Sequence, residues 1–326
     1  MKLVLPVKGL CISMLLVDEL PICGLRRGHP NWQGLYMRAI DEICVDPIIL
    51  NQWHPIVALN EIVVGAVGQT MLLGKRLSYQ GNGEDQATAW VAADPSTTSI
   101  PTLLKFGYLW GCLGEPPATL FDIAEYDEPD RRNLNSASIG VHCSAPRAVE
   151  NFLDMGHFPF VHTGYLGEEP HSEVLEYQVS IDADTGDLWA TECIFWQPTA
   201  AASAIGGLMV DYLYRVPHPY CTLLYKSCPA DKSRMDVVAL FNQPLTSTQI
   251  RGHMLMSYLD EDNDLVALRH FAQTIFAQDK PILENQYPKE LPLDPRAETP
   301  IRADKIAIAY RRWLSELGVT YGVIPV

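Results

Sequence analysis

The chain has 326 residues, 48% hydrophobic and 19% charged, and its 39 acidic against 24 basic residues give a formal net charge of −15. That surplus argues against nonspecific nucleic-acid binding and against anionic membranes, and no apolar run reaches the roughly 18 residues of a spanning helix. The length and composition fit a soluble enzyme of one large or two ordinary domains, with interior enough for a core.

Residues 1–46 read as an irregular N-terminal extension without clean periodicity. Leu10 to Val17 is apolar and follows Lys2 and Lys8, but Asp18 and Glu19 come next and no small-residue cleavage site follows, so a signal peptide is not expected. Met37 is a natural alternative start. The eight cysteines, Cys11, Cys23, Cys44, Cys112, Cys143, Cys193, Cys221 and Cys228, lack a paired framework. They suggest reduced thiols and a cytoplasmic location. Residues 47–118 look β-rich. Residues 119–140 read as a polar connector, and residues 119–326 as the second domain. Within it, Leu175, Tyr177, Val179 and Ile181 alternate with polar residues into the turn Asp184-Thr185-Gly186-Asp187, and the chain returns through LWATECIFW as a hairpin. Further strands are expected at Cys221 to Ser227, Met235 to Asn242 and Gln249 to Leu259, followed by two helices. Strands followed by long helices define an α+β fold.

The stretch Asn151 to His162, NFLDMGHFPFVH, carries chemistry in the order N-x-x-D-x-x-H-x-x-x-x-H. Two imidazoles with a carboxylate can bind a transition metal and leave positions open for O2 and substrate. On a helix, Asp154 and His157 share one face, which places the carboxylate to hold a ring N–H of His157. His157 and His162 are roughly 140° apart on a regular helix. Pro159 between them is expected to end or kink it, so that His162 swings back. The same residue types also serve as core or surface histidines, or as a zinc site. Leu265, Leu268, Ala272, Ile275 and Phe276 then mark a helix behind an Asn263/Asp264 start signal. Asp279 follows, two residues before Pro281, where it could equally cap a new helix. Near the end, Ile306, Tyr310, Trp313, Leu314 and Leu317 form one apolar stripe, with Arg311, Arg312 and Glu316 largely off it.

Asn151, Asp154, His157 and His162, with Glu150 before them and Thr163-Gly164 after, resemble the iron-binding segment of the oxygenase component of Rieske non-haem iron oxygenases. FAQDKPILENQYPKE and ADKIAIAYRRWLSEL are similar to stretches of bacterial N-demethylases of that family that act on methylxanthines. The resemblance implies a mononuclear Fe(II) held by His157, His162 and Asp279, with Glu284 the fallback carboxylate, and catalytic roles for Asp154 and Asn151. It also implies a helix-grip, START-like catalytic domain. The expected reaction is monooxygenation, either ring hydroxylation or N- or O-demethylation of a small aromatic or heterocyclic substrate with O2. Phe195, Trp196, Phe241, Asn242, Met254 and Tyr258 are candidates to line the pocket.

The family's cluster motifs, C-x-H and C-x-x-H, are missing: no Cys has a His two or three positions on. Yet Trp53 to Val57, LLGKRL (Leu72 to Leu77) and GYLWGCLGEPP (Gly107 to Pro117) resemble the outer strands of a Rieske domain, with only a short linker between Gln80 and Ile100. Residues 47–118 are therefore read as a small truncated Rieske-like domain without an iron–sulfur cluster, in which His54 is structural. Electrons would come from a Rieske-cluster donor in trans, whether a ferredoxin, a reductase or a sister subunit, within a trimer-based homo- or hetero-oligomer. The alternative is a non-catalytic structural or ligand-binding subunit of such an oxygenase.

Overall fold

A computed structural model describes residues 43–81, 86–92, 99–198, 207–228, 231–259 and 264–326. The expected extension at 1–46 lies almost wholly outside the described residues, as do Cys11, Cys23 and Asn263. Described residues open at a short helix, α1 (Pro47–Leu50), and its cap makes a long-range tie. Asp46 Oδ1 accepts from Ile48 N at 2.8 Å, while Oδ2 accepts from Thr320 N at 2.6 Å and Tyr321 N at 3.1 Å. One buried carboxylate thus fixes both ends of the described chain.

Residues 47–118 form two small antiparallel sheets. One is ordered β1 (His54–Ala58), β6 (Tyr108–Gly111), β5 (Thr102–Lys105); the other is β2 (Gly68–Leu72), β3 (Lys75–Gly81), β4 (Ala87–Val91). The β2–β3 turn needs left-handed backbone at Leu73 (φ 52°) and Gly74 (φ 81°), which glycine adopts without steric cost. Strand β4 lies in the stretch expected to be only a linker; its residues pair with β3 from Leu77↔Val91 to Gly81↔Ala87.

The larger sheet has seven antiparallel strands. Their order is β7 (Arg132–Val141), β13 (Ile250–Tyr258), β12 (Met235–Pro244), β11 (Cys221–Ser227), β10 (Leu208–His218), β9 (Leu188–Gln197) and β8 (Gln178–Ile181). The β8–β9 hairpin turns at Asp182 to Asp187 as its sequence requires, with Asp182 Oδ1 accepting from Asp184 N and Thr185 N. Two strands of this sheet are not among those expected from the sequence. β7 crosses the supposed polar connector, and β10 carries an apolar–polar pattern that was not read.

Both faces of the β11–β13 part of this sheet are covered. Val237, Ala239, Phe241 and Leu255 pack against Tyr108, Trp110 and Phe106 of the small sheets, whereas Val238, Leu240, Met254 and Met256 face the helices. Successive strand residues point to opposite faces. A strand buried on both therefore reads as a continuous apolar run, as β12 does. Asn242 falls on this wholly buried strand, with Nδ2 donating to Tyr220 O at 3.1 Å.

The helices are α2 (Ala145–Leu153), α3 (Phe158–Val161), α4 (Leu265–Asn285) and α5 (Lys305–Leu317); the two-residue strands β14 (Leu291–Pro292) and β15 (Val323–Ile324) pair in parallel. Ser144 caps α2 and Asp264 caps α4, each side chain accepting from the backbone N–H three residues on. Helix α4 runs beside the edge strand β7, where Gln273 Nε2 donates to Ser136 O (2.8 Å) and Lys280 Nζ to Gly140 O (2.6 Å). It thereby covers an edge that would otherwise stay open. On α5 the stripe Ile306, Tyr310, Trp313 and Leu314 is buried, but two residues depart from expectation: Leu317 is 38% exposed and Arg311 turns inward. Arg311 and Arg147 meet Glu150 and Glu298 in a network joining α2 to α5, with Arg311 Nε to Glu150 at 2.6 Å and Arg147 to Glu298 at 2.6 Å. Desolvation, not periodicity, explains this inversion: a buried guanidinium is tolerated where two carboxylates receive it. Among the described residues no helix is long and apolar enough to cross a membrane.

Candidate metal centre and its cavity

The histidine segment does not form the helix its spacing suggested. Helix α2 stops at Leu153, and Asp154 is already extended (φ −84°, ψ 120°). Its Oδ1 accepts from Gly156 N at 2.7 Å, the local turn an aspartate makes in competition with helix. The break thus falls at Asp154–Gly156, ahead of Pro159. Pro159 instead sits in the first turn of α3, where a missing N–H costs nothing. His157 and His162 flank α3 as its two caps. Asp154 and His157 therefore do not share a helical face, yet they still meet: His157 Nδ1 donates to Asp154 Oδ2 at 3.1 Å.

Asp279 enters from the middle of α4, one unbroken helix that continues past Pro281, so it caps nothing. Its Oδ1 lies 3.3 Å from His157 Nε2 and 3.1 Å from His162 Nε2, and the two Nε2 atoms are 3.1 Å apart. The fallback Glu284 points elsewhere, accepting from His142 N and Lys280 Nζ.

The chemistry of these atoms decides what the triangle can hold. His157 Nδ1 donates to Asp154, and His162 Nδ1 to Gln278 Oε1 at 2.9 Å. In each neutral ring the other nitrogen, Nε2, is then a bare lone pair. Two lone pairs and a carboxylate oxygen face one another, and Asp279 Oδ1 is buried without a hydrogen-bond partner. Such a cluster repels itself unless a cation sits at its centre. Edges near 3.1–3.3 Å are what three mutually adjacent ligands have at bonds of about 2.2 Å. The three residues therefore fit a first-row transition metal. A proton on His157 is the other cation the cluster can take: burial pushes His157 down, but the carboxylates of Asp154 and Asp279 outweigh it and hold the imidazole up to about 9. Burial likewise raises Asp279, and the two histidines overcome it, keeping the carboxyl below its usual range.

Gln278 was not anticipated. It stands directly before Asp279 in the sequence and could be found only by asking what fixes the free nitrogen of His162. The centre opens into a cavity between α2, α4 and the helix-facing side of the sheet. Its walls are mostly apolar, with Phe152, Phe158, Met254, Met256, Phe271 and Phe276 prominent. Of the pocket residues named from sequence, Met254 and Tyr258 line it. Phe195, Trp196, Phe241 and Asn242 do not; Phe241 belongs to the opposite face of the sheet, against Trp110 at 5.0 Å. The polar lining includes Gln197, Tyr214 and Lys226, whose ammonium burial pushes down to about 8 against the pull of Asp236. Asn151 lines this cavity and also a second one on the far side of His157, where Asp154, Glu150, Glu298 and Asp304 make an acidic wall. His54, in the small sheets, is fully buried; its Nε2 donates to Ile49 O at 2.8 Å and its ring stands edge-on to His218.

Residues 141–320 match the vanillate O-demethylase oxygenase C-terminal domain family. Over 274 residues the chain is 43% identical to the probable methylxanthine N7-demethylase NdmC of Pseudomonas sp. (strain TJI-51), covering 84% of this chain and 96% of that protein. NdmA from Pseudomonas putida CBB5, solved with caffeine, shares the fold at a TM-score of 0.66 and 21% identity, over 82% of this chain and 91% of that one. Dicamba monooxygenase bound to dicamba does so at 0.64 and 15%, over 82% and 97%. The chain belongs to the Rieske non-haem iron oxygenases with a vanillate O-demethylase-type C-terminal domain, oxidoreductases with a mononuclear iron catalytic site.

Proposed function

We propose that His157, His162 and Asp279 hold the iron of an oxygenase that removes a methyl group from a small heterocycle, a methylxanthine in the first instance. The observation that carries this is the triangle of two imidazole lone pairs and one carboxylate oxygen, 3.1–3.3 Å on each side, at the wall of an apolar cavity. The relative at 43% identity, named as a methylxanthine N7-demethylase, supports the substrate class.

Bound there, Fe(II) supplies O2 activation. The chain's own residues do the rest. Aromatic and methionine walls desolvate a flat ring and keep bulk water from the reaction. One oxygen atom enters a methyl C–H bond and the other leaves as water, a change that takes two electrons and two protons. The resulting hemiaminal breaks its C–N bond and releases formaldehyde; an O-methyl group follows the same course through a hemiacetal, and ring hydroxylation is the third outcome open to the site. Asp154 keeps the His157 ring in one tautomer and stands at the acidic outer wall. In our reading it leads the electron route outward, with Asn151 between the two cavities as its neighbour.

We read residues 47–118 as a Rieske-like β domain that lacks its cluster, and 119–326 as a helix-grip catalytic domain. No Cys of the chain has a His two or three positions on, which leaves the usual cluster ligands unsupplied. The electrons then come from a Rieske-cluster protein in trans, in a trimer-based assembly in the cytoplasm. A purely structural subunit has no use for three ligand atoms converging in a buried site.

The test is formaldehyde release from a panel of methylxanthines and methoxyaromatics by iron-loaded protein, with NADH and a simple reductase, with and without a Rieske-cluster protein. Turnover is expected only with the cluster protein. Full activity without it would refute the electron-supply reading, and no turnover of any panel member under either condition would refute the demethylase reading.

A further inference from the structure

The cavity beside the centre contains a buried amide that makes no hydrogen bond to the described residues. Gln197 ends β9, is 1% exposed and lines the cavity. Neither Nε2 nor Oε1 finds a hydrogen-bond partner among the described residues. The hydroxyl of Tyr214, on β10 and lining the same cavity, is also buried without a partner. Strand alternation puts Cys193, Phe195 and Gln197 on one buried row, so an apolar residue would continue the pattern at no cost. A primary amide carries two donors and an acceptor, and leaving them unmade in a dry site is unfavourable. Polar groups few in number within an apolar cavity are the usual means of fixing a ligand's orientation.

We propose that Gln197 selects the substrate by pairing its amide with a lactam edge of the ring, a carbonyl beside an N–H, while Tyr214 contacts a further ring heteroatom. This rests on the oxygenase reading above and narrows it. A carboxamide presents a donor and an acceptor side by side, the complement of that edge. A ring nitrogen that is already methylated offers no N–H; it sets a methyl group against Oε1 and leaves that oxygen buried and unbonded. Sites built to bond an N–H reject the analogue lacking it far more strongly than apolar pockets reject an added methylene. The preferred substrate is therefore a methylated heterocycle that keeps at least one lactam N–H. A fully N-methylated ring, or a methoxyaromatic that offers only acceptors, should bind less well.

The probes are theobromine and caffeine, which differ by one methyl on the nitrogen between two carbonyls. Titration calorimetry on the iron-loaded full chain without O2 should give a Kd for theobromine about tenfold or more below that for caffeine. Gln197→Met should bring the two within about twofold, with iron content unchanged and thermal stability equal or higher, because a buried unbonded amide has been replaced by an apolar group of similar shape. Tyr214→Phe should weaken both ligands without changing their ratio. No preference in the native protein, or an undiminished ratio in Gln197→Met, overturns the proposal. If neither xanthine binds, 2-quinolone and its N-methyl derivative separate the two readings. A Gln197-dependent preference there sustains the lactam contact and removes the methylxanthine assignment; none removes both.

Discussion

His162 Nδ1 and Gln278 Oε1 stand 2.9 Å apart although 116 residues separate them in the chain, and that bond sets which nitrogen of His162 faces His157 and Asp279. The amide oxygen accepts, so Nδ1 keeps the proton and Nε2 is left as the ligand atom. Gln278→Leu should therefore lower iron affinity by about 10–100-fold while the three ligands stay in place. Iron retention against a graded chelator reads this; unchanged retention would show that packing alone orients the ring.

Asp154 is the matching partner of His157, but its carboxylate also faces the outer cavity. Asp154→Asn should keep most of the iron, because the three ligand atoms are intact, yet cut turnover by about 10–100-fold. Iron content measured beside product formation separates the two effects. Native turnover in the variant would dismiss the proposed electron route and leave the metal centre standing.

Arg147 is 1% exposed and shared between Glu150 and Glu298, with Arg311 as the second cation of the same network. Removing Arg147 leaves Arg311 alone to compensate two carboxylates. Arg147→Ala is expected to destabilise the fold by about 3–5 kcal/mol, seen as a lower urea midpoint at unchanged slope. A loss below about 1 kcal/mol, the range of exposed ion pairs, would mean that water reaches the network.

Burial pushes His54 down to about 4 and His253 down to about 3, while an unfolded histidine titrates near 6.5. Below about pH 6.5 the unfolded chain takes up protons that the folded chain refuses. The stability these residues contribute is complete above that pH and is lost as pH falls toward about 4. Each should account for about 1.4 kcal/mol per pH unit in that window. Urea unfolding at pH 7.5 and pH 5.0 measures the slope. His54→Leu should flatten it by the share of one proton, even though losing the bond to Ile49 makes the variant less stable at pH 7.5. An identical slope in the variant would mean that His54 is protonated in the folded state.

The sequence by itself determined the parts whose signals are local. Asp264 caps α4, the alternation through Ile181 and the turn at Asp184–Gly186 make the β8–β9 hairpin, and the apolar stripe of α5 follows its period. The order of Asn151, Asp154, His157 and His162 named residues that do stand together, and Asp279 was matched by resemblance. Tertiary structure decided the rest. Asp154 bonds Gly156 and ends α2 early, so the histidines are set by a turn and a short helix where the sequence suggested one helix broken at Pro159. Arg311 points inward because Glu150 and Glu298 wait there, and Phe241 faces away from the cavity because the small sheets cover that side of β12. Gln197 and Gln278 gain their significance only from what surrounds them. The physical reason is range: periodicity and caps act over a few residues, whereas an amide's partner, a charge's desolvation and a strand's second face are fixed by segments more than a hundred residues away, brought near by the packing of one sheet.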